Sequence, residues 1–518
     1  MIAGPGPPSG RALVGGGLIA LGVGWSFFAA TTFIGDDHVF LTFARLVGDP
    51  LVAFVSDQHG GEYYRPVPMA LWWLLARADD GAAWPFQLAA LILHALVAAE
   101  TAILARVAGE PRPVAALAGL LFLVAPQNLE AAYWFSASTD LLASAALVGA
   151  LICVAGPRPG AGRWLASVGL AAVAYLSKES ALALPLLALA VLARPPAPGA
   201  RDRRVWHRPL PYALLAGGFL VARWRVLNGW GGTTDPPVPL AGKLLQLAAG
   251  LVHAGTGAAV LPEPLAWGAG AVAMACLLRH VARAPGARAG AAAWQPAAFV
   301  ALALLPVLAA SSANGARYFY LPSVGLAWLG ARCLVAAAPA TRLLVLGAVV
   351  ALATAQAARR HGEVADYTAR LAAARTAVVD GLAHGHTVFH VAAAIKDIDL
   401  ALKSSPDVRR ADGPEPRLLV LSDVPASFVL LPPATGDRLD FLLAQPPIPP
   451  SGFYRFGAAR VAGLARRGEE PDLDDVTRRF PDLRFIRLAR ASDGRVVARD
   501  VTGASDRVSS EPGFFLNK

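Results

Sequence analysis

The sequence predicts a mainly α protein: a polytopic membrane helix bundle of about eleven spans, residues 1–358, followed by a small extracytoplasmic α/β domain, residues 359–518. Two observations lead there. Of 518 residues, 55% are hydrophobic and 16% charged, against about 25% charged in an ordinary soluble domain. The charges are also unevenly spread: residues 1–358 hold 23 Lys/Arg and 15 Asp/Glu, whereas residues 359–518 hold 23 and 21. A lipid-solvated module thus precedes a water-solvated one. The net charge of +10 divides into +8 and +2, and an excess of cations on a polytopic chain reports topology, so no nucleic-acid surface is implied.

Taking roughly 20 apolar residues per span, helices are expected near 12–34, 85–108, 113–127, 136–155, 164–178, 180–194, 209–228, 264–282, 294–312, 319–338 and 341–358. The first apolar run lacks a cleavage site followed by a polar region, so it reads as a retained helix. Arg11, Arg106, Arg112, Arg158, Arg163 and most later loop arginines fall on one side of these spans, and Asp36, Asp37, Asp49, Glu62, Glu130, Asp140 and Glu179 on or near the other. The positive-inside rule then puts the amino terminus in the cytoplasm and, with an odd number of spans, the tail outside the plasma (inner) membrane.

Residues 35–84 read as a long first outer loop. Residues 229–262, rich in Gly and Pro with a helical stretch from Leu240 to Val260, read as an outer interfacial segment. In the tail, a helix is expected near Glu363–Leu382 and strands at Arg417–Leu421, Arg484–Leu488 and Arg495–Val501, the last two joined by Ser492, Asp493 and Gly494. The proline-rich run Gln445–Ser451 is a loop. Cys153, Cys276 and Cys333 each sit in an apolar run, which fits neither a disulfide framework nor a thiolate metal site.

Ionisable residues at the ends of membrane helices are costly and call for a reason. Here they gather on one face: Asp36, Asp37 and His38 after the first span; Glu62, Tyr64 and Arg65 in the first loop; Asn128, Glu130 and Asp140 between spans three and four; Lys178 and Glu179 between spans five and six; Arg223 and Arg225 at the end of span seven; and Arg317 with Tyr318 before span ten. Structural readings stand beside the functional one. Asp36 and Asp37 could end a helix in water, Lys178 and Glu179 could neutralise each other, Glu130 and Asp140 could cap helices, and Arg65 and Arg317 could snorkel. His94 and Glu100 read as packing groups, and His384, His386 and His390 match no zinc spacing. No glycine-rich phosphate loop occurs.

Across residues 12–340 this series resembles the GT-C superfamily of integral-membrane glycosyltransferases. The resemblance rests on Asp36-Asp37, Tyr64-Arg65-Pro66-Val67, Ala125-Pro126-Gln127-Asn128-Leu129-Glu130, Ser138-Thr139-Asp140-Leu141-Leu142, Ser177-Lys178-Glu179-Ser180 with Pro185, and Arg317-Tyr318-Phe319-Tyr320-Leu321-Pro322-Ser323. In order and spacing these look most like the transmembrane O-mannosyltransferases that carry TPR repeats and their bacterial relatives. The tail departs by having no repeat, and Ser138-Thr139 stands where the family often places an arginine. The resemblance implies a polyprenyl-phosphate-linked sugar as donor, a protein or glycan hydroxyl as acceptor, membrane lipid as surroundings, and inversion at the anomeric carbon.

Chemistry assigns the expected roles. An acceptor hydroxyl needs a base, and Asp36 is the first candidate and Asp37 the second. A departing lipid phosphate gains charge, which Arg65, Arg223, Arg225 and Arg317 would stabilise. His38, Glu62, Tyr64, Glu130, Asp140, Lys178, Glu179 and Tyr318 are the supporting set. No cofactor is required by this scheme, and a divalent cation on Asp36 and Asp37 is the open alternative. The rival function is a transporter or flippase for a lipid-linked saccharide, which calls for ionisable groups near the bilayer midplane; only Glu100 lies near a span centre.

Overall fold

A computed structural model of the chain describes residues 32–56, 63–78, 82–155, 160–192, 209–231, 238–256, 287–309, 316–392, 398–403, 405–413, 418–422, 428–430, 453–455, 484–493 and 495–500. It forms two compact units, one of residues 1–31, 51–71 and 82–361, the other of residues 32–50, 72–81 and 362–518. Two of the boundaries, after residues 71 and 361, fall inside helices, α2 (Pro66–Ala78) and α13 (Pro339–Ala383).

The first unit is built on α3 (Trp84–Val107), which packs against α4 (Arg112–Val124) and α6 (Ser138–Val154), with α7 (Ala161–Tyr175) on the far side of α6. At 24 residues α3 is about 36 Å long, enough to cross a bilayer. Its crossing with α4 is close because Gly119 faces it: a Cβ there would lie 2.7 Å from the Ala98 carbonyl oxygen. α4 ends where Pro126 forbids a helical conformation at Ala125, whose ψ is 122°. The chain resumes at a bend of 51° as a 3₁₀ turn and α5 (Leu129–Tyr133), then breaks again at Trp134 before α6.

A second break separates α7 from α8 (Leu184–Leu192): Lys178 is extended (φ −163°, ψ 147°) and a 3₁₀ turn runs over Glu179–Ala183. α9 (Leu210–Leu227), α10 (Leu240–Thr256), α11 (Ala287–Leu308), α12 (Pro322–Ala336) and the first half of α13 complete the unit. Among the described residues, four helices are long and apolar enough to cross a membrane, five if the bent pair at Pro126 counts as one span, and shorter apolar stretches of 10–17 residues occur beside them. The spans expected at 12–34 and 264–282 lie outside the described residues; a helix occurs at each of the others. Residues 35–84, expected as a loop, instead hold α1 (Asp37–Leu46) and α2, whose 13-residue apolar run is too short to register as a span.

In the second unit a four-stranded sheet has the order β2-β1-β5-β6, with β1 (Val388–Ala392) parallel to β2 (Leu419–Ser422) and β5 (Arg484–Arg490), and β6 (Val496–Asp500) antiparallel to β5. Phe389, Val391, Ile486 and Leu488 are its buried residues. β3 (Phe428–Leu430) and β4 (Phe453–Arg455) form a separate pair, and α14 (Ile398–Lys403) and α15 (Pro406–Asp412) accompany the sheet. The predicted strands are present at β2, β5 and β6; β1 was not expected, because its centre is occupied by His390 inside a histidine-rich stretch. His386 is not simply solvated: its Nε2 accepts a hydrogen bond from Arg484 Nε at 3.0 Å. Residues 445–451 and 257–262 lie outside the described residues.

Candidate active site

The two helix breaks of the first unit carry several of its buried or partly buried charges. At the α7–α8 break the extended backbone turns Lys178 and Glu179 in opposite directions, as successive residues of an extended chain are turned. They therefore do not neutralise each other, contrary to the structural reading of the pair. Lys178 Nζ bonds Asp140 Oδ2 at 2.5 Å, from the first turn of α6, and both side chains are buried. Glu179 takes one arginine on each oxygen: Arg65 donates to Oε2 from Nη2 at 2.7 Å and from Nε at 3.1 Å, and Arg223 Nη1 donates to Oε1. Burial alone would raise the Glu179 carboxyl, but the guanidinium groups of Arg65 and Arg223 outweigh it and hold the pKa at about 2.

Arg223 is further fixed by donating from Nε to the Trp230 carbonyl at 3.0 Å. Arg65 stacks over the Tyr63 ring at 4.1 Å. At the other break, Glu130 Oε2 accepts the Ala316 backbone N–H at 3.1 Å, which ties α5 to the 3₁₀ turn Ala316–Phe319. That turn presents Arg317 over the Trp134 ring at 4.3 Å, and the Lys178 ammonium lies 5.5 Å over the Tyr318 ring. Lys178 feels Asp140, Arg65 and Arg317 electrostatically, so these groups belong to one field. Among the described residues, Arg65, Arg223, Lys178 and Arg317 thus gather with Glu179 and Asp140 at the two breaks.

Helix α10 lies across this turn. Leu247, Leu304, Val307 and Phe319 form its packing cluster, and Lys243 Nζ donates to the Leu308 carbonyl at 3.0 Å. Gly250 meets Phe319 so closely that a Cβ would fall 2.1 Å from the ring.

Other predicted residues are placed elsewhere. Arg225, two residues from Arg223 and so turned about 200° around α9, is exposed and does not join the cluster. Tyr64 is buried, stacked on Phe219 with its hydroxyl donating to the Phe54 carbonyl at 2.9 Å, a packing role. Glu62 lies outside the described residues. Two contributors escaped sequence reasoning. Trp134 supplies a ring to Arg317, and its indole N–H is buried without an acceptor among the described residues. Arg360 approaches Glu130 at 3.9 Å from α13, just beyond the expected span 341–358.

In the second unit, Asp36 is the partly buried N-cap of α1 and makes no side-chain capping bond, whereas Asp37 is fully buried and its Oδ2 accepts the Ile34 N–H at 3.0 Å. His38 is buried beside them. Burial drives its pKa down to about 4, against the opposing bond to the Phe33 backbone and with the help of Arg45. No group of three His, Cys, Asp or Glu side chains that could hold a metal ion occurs among the described residues.

Apolar helices interrupted at two places, with charged side chains satisfied at the interruptions, define an integral membrane protein whose irregular backbone lies inside protein. No family model matches the sequence, and no curated protein matches it. Among solved structures it is similar to ArnT from Cupriavidus metallidurans in the apo state, with a TM-score of 0.51 and 15% identity, over 86% of this chain and 98% of that one. It is equally similar to ArnT from the same organism bound to undecaprenyl phosphate, with a TM-score of 0.51 and 16% identity, over 87% and 98%. The chain thus shares the overall fold of these ArnT structures, as the sequence resemblance led one to expect.

Proposed function

We propose that the protein is a glycosyltransferase that moves a sugar from a polyprenyl-phosphate donor to a hydroxyl acceptor at the outer face of the membrane, with inversion. The observation that carries this reading is the gathering of Arg65, Arg223, Lys178 and Arg317 at the helix breaks of the first unit. Guanidinium and ammonium groups gathered in this way suit a phosphate at the membrane surface. The bound undecaprenyl phosphate of the structural neighbour supports the same class of ligand.

In the reaction, the acceptor oxygen forms a bond to the anomeric carbon as Asp36 takes its proton, and the bond from that carbon to the lipid phosphate oxygen breaks. The phosphate leaves as a monoester whose charge approaches −2, which the cation cluster stabilises more than the singly charged diester. Asp36 suits the base because it is partly exposed, while Asp37 is committed to the Ile34 N–H. Direct displacement at the anomeric carbon inverts it. The cytoplasmic amino terminus and extracytoplasmic tail follow from the charge asymmetry.

The test is to incubate the purified protein with a panel of radiolabelled polyprenyl-phosphate hexoses and pentoses and follow label from lipid to acceptor. Consumption of one donor, with appearance of polyprenyl phosphate, is expected. Stable retention of every donor by folded protein would overturn the reading, and movement of intact donor across proteoliposomes would favour the flippase. A reporter active only outside the cytoplasm, fused after Lys518, should be active.

A further inference from the structure

The break at Pro126 leaves backbone carbonyls of the first unit in need of donors. Phe122 and Leu123 stand in the last turn of α4, so a continuing helix would meet their carbonyls from residues 126 and 127. Pro126 has no N–H to give and the chain bends by 51° there, so the donors must come from elsewhere. The Ala125 N–H reaches the Phe122 carbonyl at 3.4 Å, a long bond. Two side chains do better: Asn128 Nδ2 donates to the Phe122 carbonyl at 2.8 Å, and His94 Nε2, from α3, to the Leu123 carbonyl at 3.1 Å. Each of these side chains has a second polar end, and both second ends meet one segment. A carbonyl can only accept, so in the neutral ring Nε2 carries the proton and His94 Nδ1 accepts from the Tyr320 hydroxyl at 2.9 Å. Asn128 Oδ1 accepts from the Ser323 hydroxyl at 2.7 Å, and the same hydroxyl lies 2.6 Å from the Tyr320 carbonyl. None of the four side chains belongs to a residue more than 5% exposed. Tyr320 directly follows the 3₁₀ turn that carries Arg317, and its N–H closes that turn on the Arg317 carbonyl at 3.0 Å.

We propose that His94 and Asn128 are positioning residues for Arg317: each bonds the break with one end and the segment after the turn with the other, and together they set where the guanidinium sits. The inference rests on the reading of Arg317 as a contact to the departing phosphate. Packing alone asks for no such bonds, since apolar side chains at positions 94 and 320 would fill the space without burying polar atoms that then need partners. The Tyr320 ring already packs edge-on to Phe122, with centroids 5.2 Å apart and planes 78° from parallel, and the hydroxyl adds direction to that contact. Direction is what a cation needs to act on charge that develops at one oxygen, and a misplacement of about 1 Å loses on the order of 100-fold in rate.

The test uses the full-length chain in the donor-consumption assay and reads coupling to Arg317. Tyr320→Phe, which removes the hydroxyl and keeps the ring, should lower kcat about 10-fold with donor KM within about twofold. In an Arg317→Gln background the same change should cost less than about twofold, because a turn without its guanidinium has nothing left to position. His94→Gln, which keeps one donor and one acceptor, should retain at least about fivefold more kcat than His94→Leu, and this pair carries the test should Tyr320→Phe not fold. A Tyr320→Phe variant within about twofold of the parent in kcat, equal losses in the two His94 variants, or a Tyr320→Phe loss repeated in full on Arg317→Gln would each overturn the proposal. The last of these leaves Arg317 as a phosphate contact and makes the network a structural one. An Arg317→Gln chain within about threefold of the parent defeats instead the phosphate reading on which the proposal rests.

Discussion

Replacing Arg317 by glutamine removes one of the four cations while leaving the ion pairs of Glu179 with Arg65 and Arg223, and of Asp140 with Lys178, in place. A guanidinium about 4 Å from a unit charge at an effective dielectric of 20 contributes about 4 kcal/mol. If half a unit of charge develops on the leaving phosphate at the transition state, the differential term is about 2 kcal/mol, or roughly 30-fold in kcat. The stack of Arg317 over Trp134 contributes about 1–2 kcal/mol to stability, so the variant should still fold. Arg317→Lys keeps the charge but not the planar fork and should recover part of the loss. Initial rates against donor concentration, with thermal unfolding in detergent as control, decide the matter. A Gln variant within about threefold of the parent in kcat, or one with a raised KM and unchanged kcat, refutes the claim that the cluster acts on the leaving charge.

The remaining predictions concern single groups. Asp36→Asn should reduce turnover at least about 100-fold without lowering the melting temperature, while Asp37→Ala should destabilise by about 1–3 kcal/mol by stranding the buried Ile34 N–H; the reverse pattern would exchange their roles. Arg223→Ala should cost about 3 kcal/mol of stability and most activity, and the exposed Arg225→Ala should be nearly neutral, as measured by melting and donor-dependent rates. Since the His38 pKa is depressed to about 4, the folded state resists its protonation. Its share of stability, about 3 kcal/mol, is present above pH 6.5 and is lost as pH falls towards 4. His38→Phe should flatten the fall in stability between those values, and an unchanged slope would assign the acid sensitivity to other groups.

Much of the fold was legible because apolar run length and proline placement act locally. Pro126 ends α4 where the sequence says it must, and the charged residues between predicted spans do mark the breaks. The pairing of charges was not legible. Lys178 and Glu179 are neighbours in sequence but, on an extended backbone, they serve different partners 38 and 44 residues or more away. Which of Arg223 and Arg225 turns inward depends on how α9 is rotated, which sequence periodicity left open in a helix with apolar residues all round. The acidic pair read as the start of a loop because α1, at 10 residues, is too short for periodicity to register, and its burial comes from partners at residues 72 and 367.

The contact of Gly250 with Phe319 makes an absent side chain part of the machinery. Alanine in the middle of a helix ordinarily gains about 1 kcal/mol over glycine, so a thermostabilisation campaign on α10 would reach for this position early. Here the added methyl group would enter the Phe319 ring, which is buried among Leu247, Leu304 and Val307 with nowhere to retreat, and Phe319 stands two residues after Arg317. The chain has kept the softer helix and, with it, a fixed gauge between α10 and the turn that holds the guanidinium. At Gly250, therefore, intolerance of alanine reports on the seat of the Arg317 turn.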